Sequence, residues 1–252
     1  MASKIILITQ ARTGSSRFPR KILKKIKGKS LLEIHLDRLK RSKNISEIIV
    51  ATTTNIEDDI LYEKSIELGV NSTRGSELDV LDRFYQSVKK KNAEWIVRVT
   101  SDCPLIDPKL VDNIVDFAIK YDKDYCSNTL VENFPDGQDV EIFKFSALIL
   151  SWKNATLNSE REHVTPYIRN NSDFKKGNLF TAISYPCIQD YSKIRMTVDE
   201  IRDFELITLL INDLGTDKTW LEYTDHIIKK KLYNLNDKII RNEGLLNSIN
   251  ND

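Results

Sequence analysis

The sequence predicts an α/β protein with a mostly parallel sheet flanked by helices. Short apolar segments of strand length alternate with amphipathic segments of roughly 10–15 residues, which is typical of strand–helix–strand units. The first segment, residues 4–10, is almost uninterruptedly apolar, as in a strand buried on both faces. The composition, 40% hydrophobic and 30% charged, is ordinary for a globular chain of 252 residues. We therefore expect a single domain over residues 1–252.

The predicted elements of the first half follow a regular order. Ser30 precedes a helical pattern of leucines and is the expected N-cap. Pro108 lies in the first turn of another predicted helix, where a missing N–H group is tolerated. After the strand at 4–10, the predicted segments are a helix at 30–41, a strand at 46–52, a helix at 56–68, a strand at 70–73, a helix at 78–91, a strand at 94–100 and a helix at 108–121.

The pattern is less regular after residue 124, and here we expect a small inserted arm at about 130–190. A C-terminal helical segment is expected at about 216–246, and residues 247–252 are expected to be frayed. The predicted strands of this half are 139–143, 179–184 and 194–197, and the predicted helices are 146–153, 160–169, 200–214 and 220–232.

The charge distribution is uneven, although the net charge is only +1. Residues 12–29 contain eight basic and no acidic residues, so this segment carries +8 and the rest of the chain carries −7. A nearly neutral total argues against a polybasic nucleic-acid-binding protein, and we expect no nucleic-acid partner. The basic segment instead indicates a local site for a negatively charged ligand.

Several features predict a cytoplasmic protein. No apolar stretch approaches the roughly 18 residues that a membrane span needs, so no membrane partner is expected. The first residues contain no hydrophobic region followed by a cleavage site, so no secretory signal is expected. The three cysteines are widely spaced and form no C-x-x-C pair, which argues against a disulfide framework or a zinc site; they are Cys103, Cys126 and Cys187.

The basic segment begins in a loop directly after the first strand, at residues 10–21. In a parallel sheet, ligands bind at the carboxyl ends of the strands, which is where this loop lies. Arg12, Arg17 and Lys21 supply charged donors for phosphate. The small residues of the loop let backbone N–H groups approach phosphate oxygens; they are Gly14, Ser15 and Ser16. The loop fits neither the dinucleotide motif G-x-G-x-x-G nor the Walker A motif, so we predict another kind of phosphate site; the alternative is a solvated basic loop.

Two further segments place an acidic residue just after a strand. Asp102 follows the fourth strand, and a carboxylate close to a phosphate-binding loop is a natural Mg²⁺ ligand. Asp107 is expected to cap the helix that follows it. Asp199 follows the predicted strand at 194–197 and has two equal interpretations, a second metal ligand or a helix cap.

Together, these segments resemble a known family. Residues 11–21 match the signature A-R-x-x-S-x-R-[LF]-P-x-K of sugar-acid cytidylyltransferases, such as the 3-deoxy-manno-octulosonate and N-acetylneuraminate enzymes. The chain resembles more closely their relatives of the spore-coat polysaccharide biosynthesis protein F type. That resemblance also takes in residues 48–53, 74–83, 97–108, 159–169 and 197–200. One departure is Arg20, where related enzymes often have Gly.

The resemblance implies a Rossmann-like, GT-A-like nucleotidyltransferase fold with Mg²⁺ as cofactor. It implies transfer of CMP from CTP to an acidic sugar, a 2-keto sugar acid, with release of pyrophosphate in surface polysaccharide or glycan biosynthesis. The implied partners are CTP, a small anionic acceptor and a second copy of the chain in a homodimer. The alternatives are a phosphorylated or phosphonate acceptor that gives a CDP-linked product, and a non-catalytic nucleotide-binding relative.

The resemblance also assigns roles to individual residues. Arg12, Lys21 and Asp102 are implied to be catalytic, and Asp102 and Asp199 are the implied metal ligands. The implied nucleotide-binding residues are Gln10, Ala11, Arg12, Gly14, Ser15, Arg17, Lys21, Thr52, Thr53, Arg74, Gly75, Ser76 and Ser101.

Residues 159–169 are the predicted acceptor-binding segment, through Arg161, His163 and Arg169. On one continuous helix, Arg161 and Arg169 would share a face and His163 would point elsewhere. The alternatives are a subunit interface, or a surface helix in which neighbouring glutamates balance the arginines. Three other reactive side chains are expected to be structural, namely His35, His226 and Cys103.

Overall fold

The structure, a computed structural model, describes residues 4–15 and 17–252. Its strands are β1 (Ile5–Gln10), β2 (Lys25–Ile26), β3 (Lys29–Ser30), β4 (Glu47–Thr53), β5 (Asn71–Gly75), β6 (Trp95–Thr100), β7 (Tyr125–Ser127), β8 (Glu141–Lys144) and β9 (Ala182–Ser184). Seven of them form one sheet in the order β5-β4-β1-β6-β8-β7-β9, and β2 and β3 form a separate antiparallel hairpin. In the large sheet β8 is antiparallel to both of its neighbours, and the other pairs are parallel. The predicted α/β class with a mostly parallel sheet is therefore confirmed.

The helices are α1 (Leu31–Leu39), α2 (Asp59–Glu67), α3 (Val80–Val88), α4 (Pro108–Tyr121), α5 (Phe145–Asn154), α6 (Asn158–His163), α7 (Pro166–Asn170), α8 (Ile201–Leu214), α9 (Trp220–Lys230) and α10 (Glu243–Asn250). Two predicted caps are confirmed. The Ser30 hydroxyl accepts a hydrogen bond from the Glu33 amide at 3.2 Å, and the Asp107 carboxylate accepts one from the Lys109 amide at 2.8 Å. Each satisfies an amide that the first turn of a helix leaves without a partner.

Strand β1 runs through the middle of the core, which explains its apolar sequence. Successive side chains of a strand point to opposite faces. Ile6 and Ile8 pack on one face with Phe84 of α3, and Leu7 packs on the other face with Ile114 of α4. All of these side chains are fully buried. The rigid sheet therefore fixes where the loops after β1 and β6 leave the core.

Two predicted elements in the second half are wrong. The predicted helix at 160–169 is broken into α6 and α7 at Val164, whose φ of 72° no helix accommodates. Pro166 begins α7 and has no N–H group with which to continue α6. The predicted strand at 194–197 is a single bridge to Asp136, whose amide donates to Ile194 O at 2.9 Å and whose carbonyl accepts from Met196 N at 2.6 Å.

The C-terminal residues also differ from expectation. Residues 247–252 were expected to be frayed, but α10 continues to Asn250 and is tied down by side chains, including Ser248 Oγ to Glu162 Oε2 at 2.6 Å.

Residues 130–190, the predicted arm, contribute β8 and β9 to the large sheet. Strand β7 and the β2–β3 hairpin were not predicted because segments of two or three residues show no periodicity. Within the described residues, no helix is both long and apolar enough to cross a bilayer.

Candidate active site

The loops after β1 and β6 emerge side by side at one edge of the sheet. Gln10 and Thr100, the last residues of these strands, are direct partners in the parallel pairing. The Ser101 hydroxyl donates to the Gln10 carbonyl at 2.6 Å and joins the two loops. The Asp102 carbonyl then accepts from the Val198 amide at 2.8 Å. Three segments that are distant in sequence therefore meet at the edge where parallel sheets bind ligands.

Two adjoining clefts open at this edge. The loop cleft, about 620 Å³, is lined by the predicted phosphate-binding residues Arg12, Gly14, Arg17 and Lys21. The inner cleft, about 240 Å³, extends towards β8 and α7. Both clefts share the residues Gln10, Arg17, Thr100, Asp102, His163, Asp199, Glu243 and Gly244. A nucleotide in one cleft and an acceptor in the other would meet at these shared residues.

Lys21 lies between the two predicted metal ligands. Its Nζ atom is 3.1 Å from Asp102 Oδ2 and 2.8 Å from Asp199 Oδ1. Burial opposes the charged form of Lys21, but the two carboxylates outweigh it and raise the pKa of the ammonium. Burial also opposes ionisation of Asp102, but Lys21 and the Thr100 hydroxyl hold the pKa of that carboxyl down at about 2. At neutral pH, Lys21 and Asp102 are both charged.

The other two predicted phosphate-binding cations also face carboxylates. Arg17 donates to Glu243 Oε2 at 2.7 Å and lies 3.1 Å from Asp199 Oδ1. Arg12 lies 3.1 Å from Glu77 Oε1. Arg12 and Arg17 of the loop are therefore each paired with a carboxylate from another part of the chain.

The backbone of the phosphate loop, which is the loop after β1 at residues 10–21, is held by a buried aspartate, Asp58, that was not among the predicted site residues. Asp58 Oδ1 accepts from both the amide and the hydroxyl of Thr13, each at 2.7 Å. The Thr13 carbonyl in turn accepts from the amides of Ser15 at 2.9 Å and Arg20 at 3.1 Å. Arg20 has φ 55°, a left-handed conformation that glycine adopts most easily. Ser16, which was expected to belong to the loop, lies outside the described residues.

Asp199 faces the cleft and does not cap the following helix. Glu200 is the N-cap of α8, and Asp203 Oδ2 accepts from the amides of Asp199 at 2.9 Å and Glu200 at 3.1 Å. Arg195 donates to Asp199 Oδ2 at 2.7 Å and to Asp203 Oδ1 at 2.9 Å, and it is also paired with Asp136. Arg195 therefore fixes one oxygen of Asp199 while the other faces Lys21.

Five of the predicted nucleotide-binding residues line neither of the two clefts within the described residues. They are Thr52, Thr53, Arg74, Gly75 and Ser76. The Thr53 hydroxyl donates to Asp58, the aspartate that holds the loop. Arg74 donates to the carbonyls of Thr53 and Asn55, each at 2.9 Å.

The predicted acceptor-binding residues are separated by the break at Val164. Arg169 lines the inner cleft, where burial opposes its charge but Tyr125 and Glu141 raise its pKa. His163 lines both clefts, and burial, with repulsion from Arg98, lowers its pKa to about 4, so it is a neutral hydrogen-bonding group at pH 7. Arg161 turns away and donates through Nε to Asp79 Oδ1 at 3.0 Å.

Several residues of the clefts were missed by sequence reasoning, among them Arg83 and Glu243. Arg83 lines the loop cleft and is 3% exposed; burial and repulsion from Arg12 lower its pKa to about 10. Arg83 lies in residues 74–83, which belong to the family resemblance, so the sequence did contain a signal that could have identified it. Glu243 on α10 lines both clefts, and nothing in the local sequence pointed to it. Cys103 is buried with its pKa well above the ordinary value, which agrees with the structural role expected for it.

Comparison with known proteins places this geometry in a family. A family model described as cytidylyltransferase matches residues 6–240. The chain is 47% identical over 206 residues to the uncharacterised protein MJ1063 of Methanocaldococcus jannaschii, covering 81% of each chain. It is 33% identical over 216 residues to the spore coat polysaccharide biosynthesis protein SpsF of Bacillus subtilis, covering 84% of this chain and 88% of that protein.

A similar solved structure is also a cytidylyltransferase. A cytidylyltransferase from Leptospira borgpetersenii serovar Hardjo-bovis superposes with a TM-score of 0.85 at 33% sequence identity. The superposition covers 96% of this chain and all of the other. The Rossmann-like nucleotidyltransferase fold expected from the resemblance is thereby confirmed.

Proposed function

The chain belongs to the cytidylyltransferase family, and on that premise we propose that it transfers CMP from CTP to a 2-keto sugar acid, with release of pyrophosphate. The observation that carries this proposal is the position of Lys21 between Asp102 and Asp199, beside Arg12 and Arg17 on the same loop. This arrangement brings the cations for a triphosphate and the carboxylates for a metal ion together at the edge of the sheet.

The reaction is an in-line displacement at phosphorus. An oxygen of the acceptor attacks the α-phosphorus of CTP, the new phosphorus–oxygen bond forms, and the bond to the leaving pyrophosphate breaks. Such chemistry depends on positioning and on neutralising charge more than on covalent catalysis. The raised pKa of Lys21 keeps it protonated, so it acts as a fixed positive charge rather than as a base. Arg17 and Lys21 bind the phosphates and stabilise the charge that develops on pyrophosphate.

Asp102 and Asp199 would hold Mg²⁺. Their oxygens converge on a single cation, the Lys21 ammonium, which supports the view that the pocket between them accepts a positive charge. Mg²⁺ prefers hard oxygen ligands, and it combines one or two carboxylates with substrate phosphates. When bound, the ion would supply electrophilic activation of the α-phosphate and lower the pKa of the attacking hydroxyl. Arg195 keeps Asp199 in position.

One arginine of the inner cleft, Arg169, supports the proposal of an anionic acceptor. Arg98 and Arg195, two other arginines of the cleft wall, are neutralised by Glu141 and by Asp136, respectively. In the described part of the chain, Arg169 makes no ion pair with a carboxylate at salt-bridge distance. A free guanidinium binds a carboxylate through two parallel hydrogen bonds, which suits the acid group of a sugar acid. His163 is placed to hydrogen-bond a sugar hydroxyl between the two clefts.

A pyrophosphate-release screen tests this proposal. CTP and Mg²⁺ are combined with a panel of 2-keto sugar acids and a panel of phosphorylated acceptors, and ATP, GTP and UTP serve as controls. We expect release with CTP and at least one sugar acid. Release with phosphorylated acceptors alone would overturn the assigned acceptor, and absence of release with every acceptor would contradict catalysis.

A further inference from the structure

The C-terminal helix α10 lies across the openings of both clefts. Glu243 and Gly244 line both, Asn247 lines the loop cleft, and Leu245 lines the inner cleft. The chain reaches this position from Arg241, which donates to Asp139 Oδ1 at 2.8 Å and to the Phe134 carbonyl at 3.0 Å. Helix α10 therefore begins from a fixed point at the edge of the active site.

Glu243 occupies donors that the proposed function assigns to the triphosphate. Its Oε2 atom accepts from Arg17 Nη1 at 2.7 Å. A carboxylate on an arginine presents the same kind of charged oxygen as a phosphate. Asp199, the other carboxylate at Arg17, is also held by Arg195 and has a role with a metal ion. The proposed function assigns Glu243 no part in binding nucleotide or metal, and like charges repel, so its carboxylate would disfavour a triphosphate at Arg17.

Helix α10 is tied down at the surface and is not packed into the core. None of its residues is buried, and two of its three large apolar side chains, Leu246 and Ile249, are 50% and 52% exposed; the third, Leu245, lines the inner cleft. An isolated helix of eight residues is marginal in water, so α10 depends on its contacts. Its polar contacts include Ser248 Oγ to His163 Nε2 at 3.1 Å and to Glu162 Oε2 at 2.6 Å, and segments held by surface hydrogen bonds open at lower free energy than the core does.

A turn precedes the helix at the point where a hinge is needed. Asn242 has φ 58°, in the left-handed region, between the anchored Arg241 and the first residue of α10. Asparagine tolerates this conformation better than most residues, and Gly244 follows in the first helical turn, where it weakens the helix. Changes at a few backbone angles here would swing α10 without disturbing Arg241.

We propose that α10 is an autoinhibitory lid: in the nucleotide-free enzyme Glu243 takes the place of a phosphate on Arg17, and CTP displaces it and releases α10 from the clefts. This inference rests on the proposed function, because it requires the triphosphate to bind Arg17. The lid keeps the loop neutral and the clefts covered until a ligand with more negative charge than one carboxylate arrives.

The test compares Glu243→Gln with wild type in CTP binding by isothermal titration calorimetry, with Mg²⁺ at low salt. Glutamine keeps the shape of the side chain and removes the competing charge. Exposed ion pairs are weak, so we expect CTP to bind about threefold to fivefold more tightly to the variant. Glu63→Gln, an identical change at an exposed position on α2, is the matched control and should leave the affinity unchanged.

Hydrogen exchange followed by mass spectrometry reports the lid directly. We expect the amides of residues 244–250 to exchange faster when CTP is added to wild type, and to exchange fast in Glu243→Gln without CTP. Slower exchange in the CTP complex would show a helix that closes on the nucleotide and would overturn the lid. Normal CTP binding with equal affinity in Glu243→Gln would refute the lid alone. Failure of both proteins to bind CTP would refute the proposed function together with the lid.

Discussion

Lys21 Nζ lies 2.8 Å from Asp199 Oδ1, although 178 residues separate the two along the chain. The contact exists because the loop after β1 and the segment before α8 both return to the same edge of the sheet. It places a cation of the phosphate loop directly on a candidate metal ligand. On the proposed function, binding of nucleotide and metal would rearrange one set of charges rather than fill two independent sites.

Lys21→Met should lower kcat for pyrophosphate release by about 100- to 1000-fold, the usual effect of removing one preorganised group that stabilises transition-state charge. The ammonium is buried between two carboxylates and cannot be replaced by solvent in the same position. Steady-state kinetics with CTP measure the effect. Lys25→Met removes an exposed lysine of the same basic segment and should leave kcat within a factor of about two. An equal decrease of kcat in the two variants would show that only the net positive charge of the segment matters, and not the position of Lys21.

Arg169→Gln should raise the KM for the acceptor by about 10- to 100-fold, because a hydrogen bond to a charged group contributes about 1.5–3 kcal/mol. The KM for CTP should stay unchanged, since Arg169 lines the inner cleft and not the loop cleft. Kinetics with one substrate varied at a time separate the two constants. The exposed Lys175→Gln is the control. A raised KM for CTP with a normal KM for the acceptor would show that Arg169 binds CTP and not the acceptor.

Arg195→Met should lower the free energy of unfolding by about 3–5 kcal/mol. The side chain is 7% exposed and joins Asp136, Asp199 and the fully buried Asp203, so its removal leaves buried carboxylates unpaired. Urea denaturation measures the change. Arg202→Met, at an exposed position of the same helix region, should change stability by less than about 0.5 kcal/mol. If Arg195→Met lowered the free energy of unfolding by less than about 1 kcal/mol, the ion pairs of Arg195 would not be what stabilises this part of the fold.

Acidification should destabilise the fold through His35. The ring is fully buried between the Thr9 hydroxyl, at 3.0 Å, and the Cys103 carbonyl, at 2.9 Å, and burial lowers its pKa to about 4. The unfolded chain binds the proton more tightly, so the contribution is complete above pH 6.5 and is lost as the pH falls towards 4. It amounts to about 3 kcal/mol. Denaturation of wild type and His35→Gln over this range measures it, and an equally steep pH dependence in the variant would contradict the assignment.

Much of the site could be predicted from sequence because its signals are local. The phosphate loop follows the first strand directly, and Asp102 follows the fourth, so knowing that strands are parallel was enough to bring them together. The proline after Asp107 likewise fixed the start of α4 to the residue. Such features are set by neighbouring residues in the sequence, so a local pattern is enough to predict them.

The rest depended on contacts that no local pattern encodes. Glu243 meets Arg17 across 226 residues, and the sequence around it reads as an ordinary helix end. The break at Val164, in a left-handed conformation that its β-branched side chain disfavours, is imposed by the fold around it. That break sends Arg161 to Asp79 and leaves Arg169 in the inner cleft, which a continuous helix could not do.

In the proposed function, Asp102 acts where nucleotide and metal meet. The most direct test of this role is pyrophosphate release from CTP, with Mg²⁺ and the acceptor identified by screening, for wild type, Asp102→Asn and the exposed control Asp225→Asn. Asparagine preserves the shape of the side chain but removes the charge that a cation needs. We predict equal rates for wild type and Asp225→Asn, and a rate at least about 100-fold lower for Asp102→Asn. Pyrophosphate release by Asp102→Asn at the wild-type rate would contradict the account.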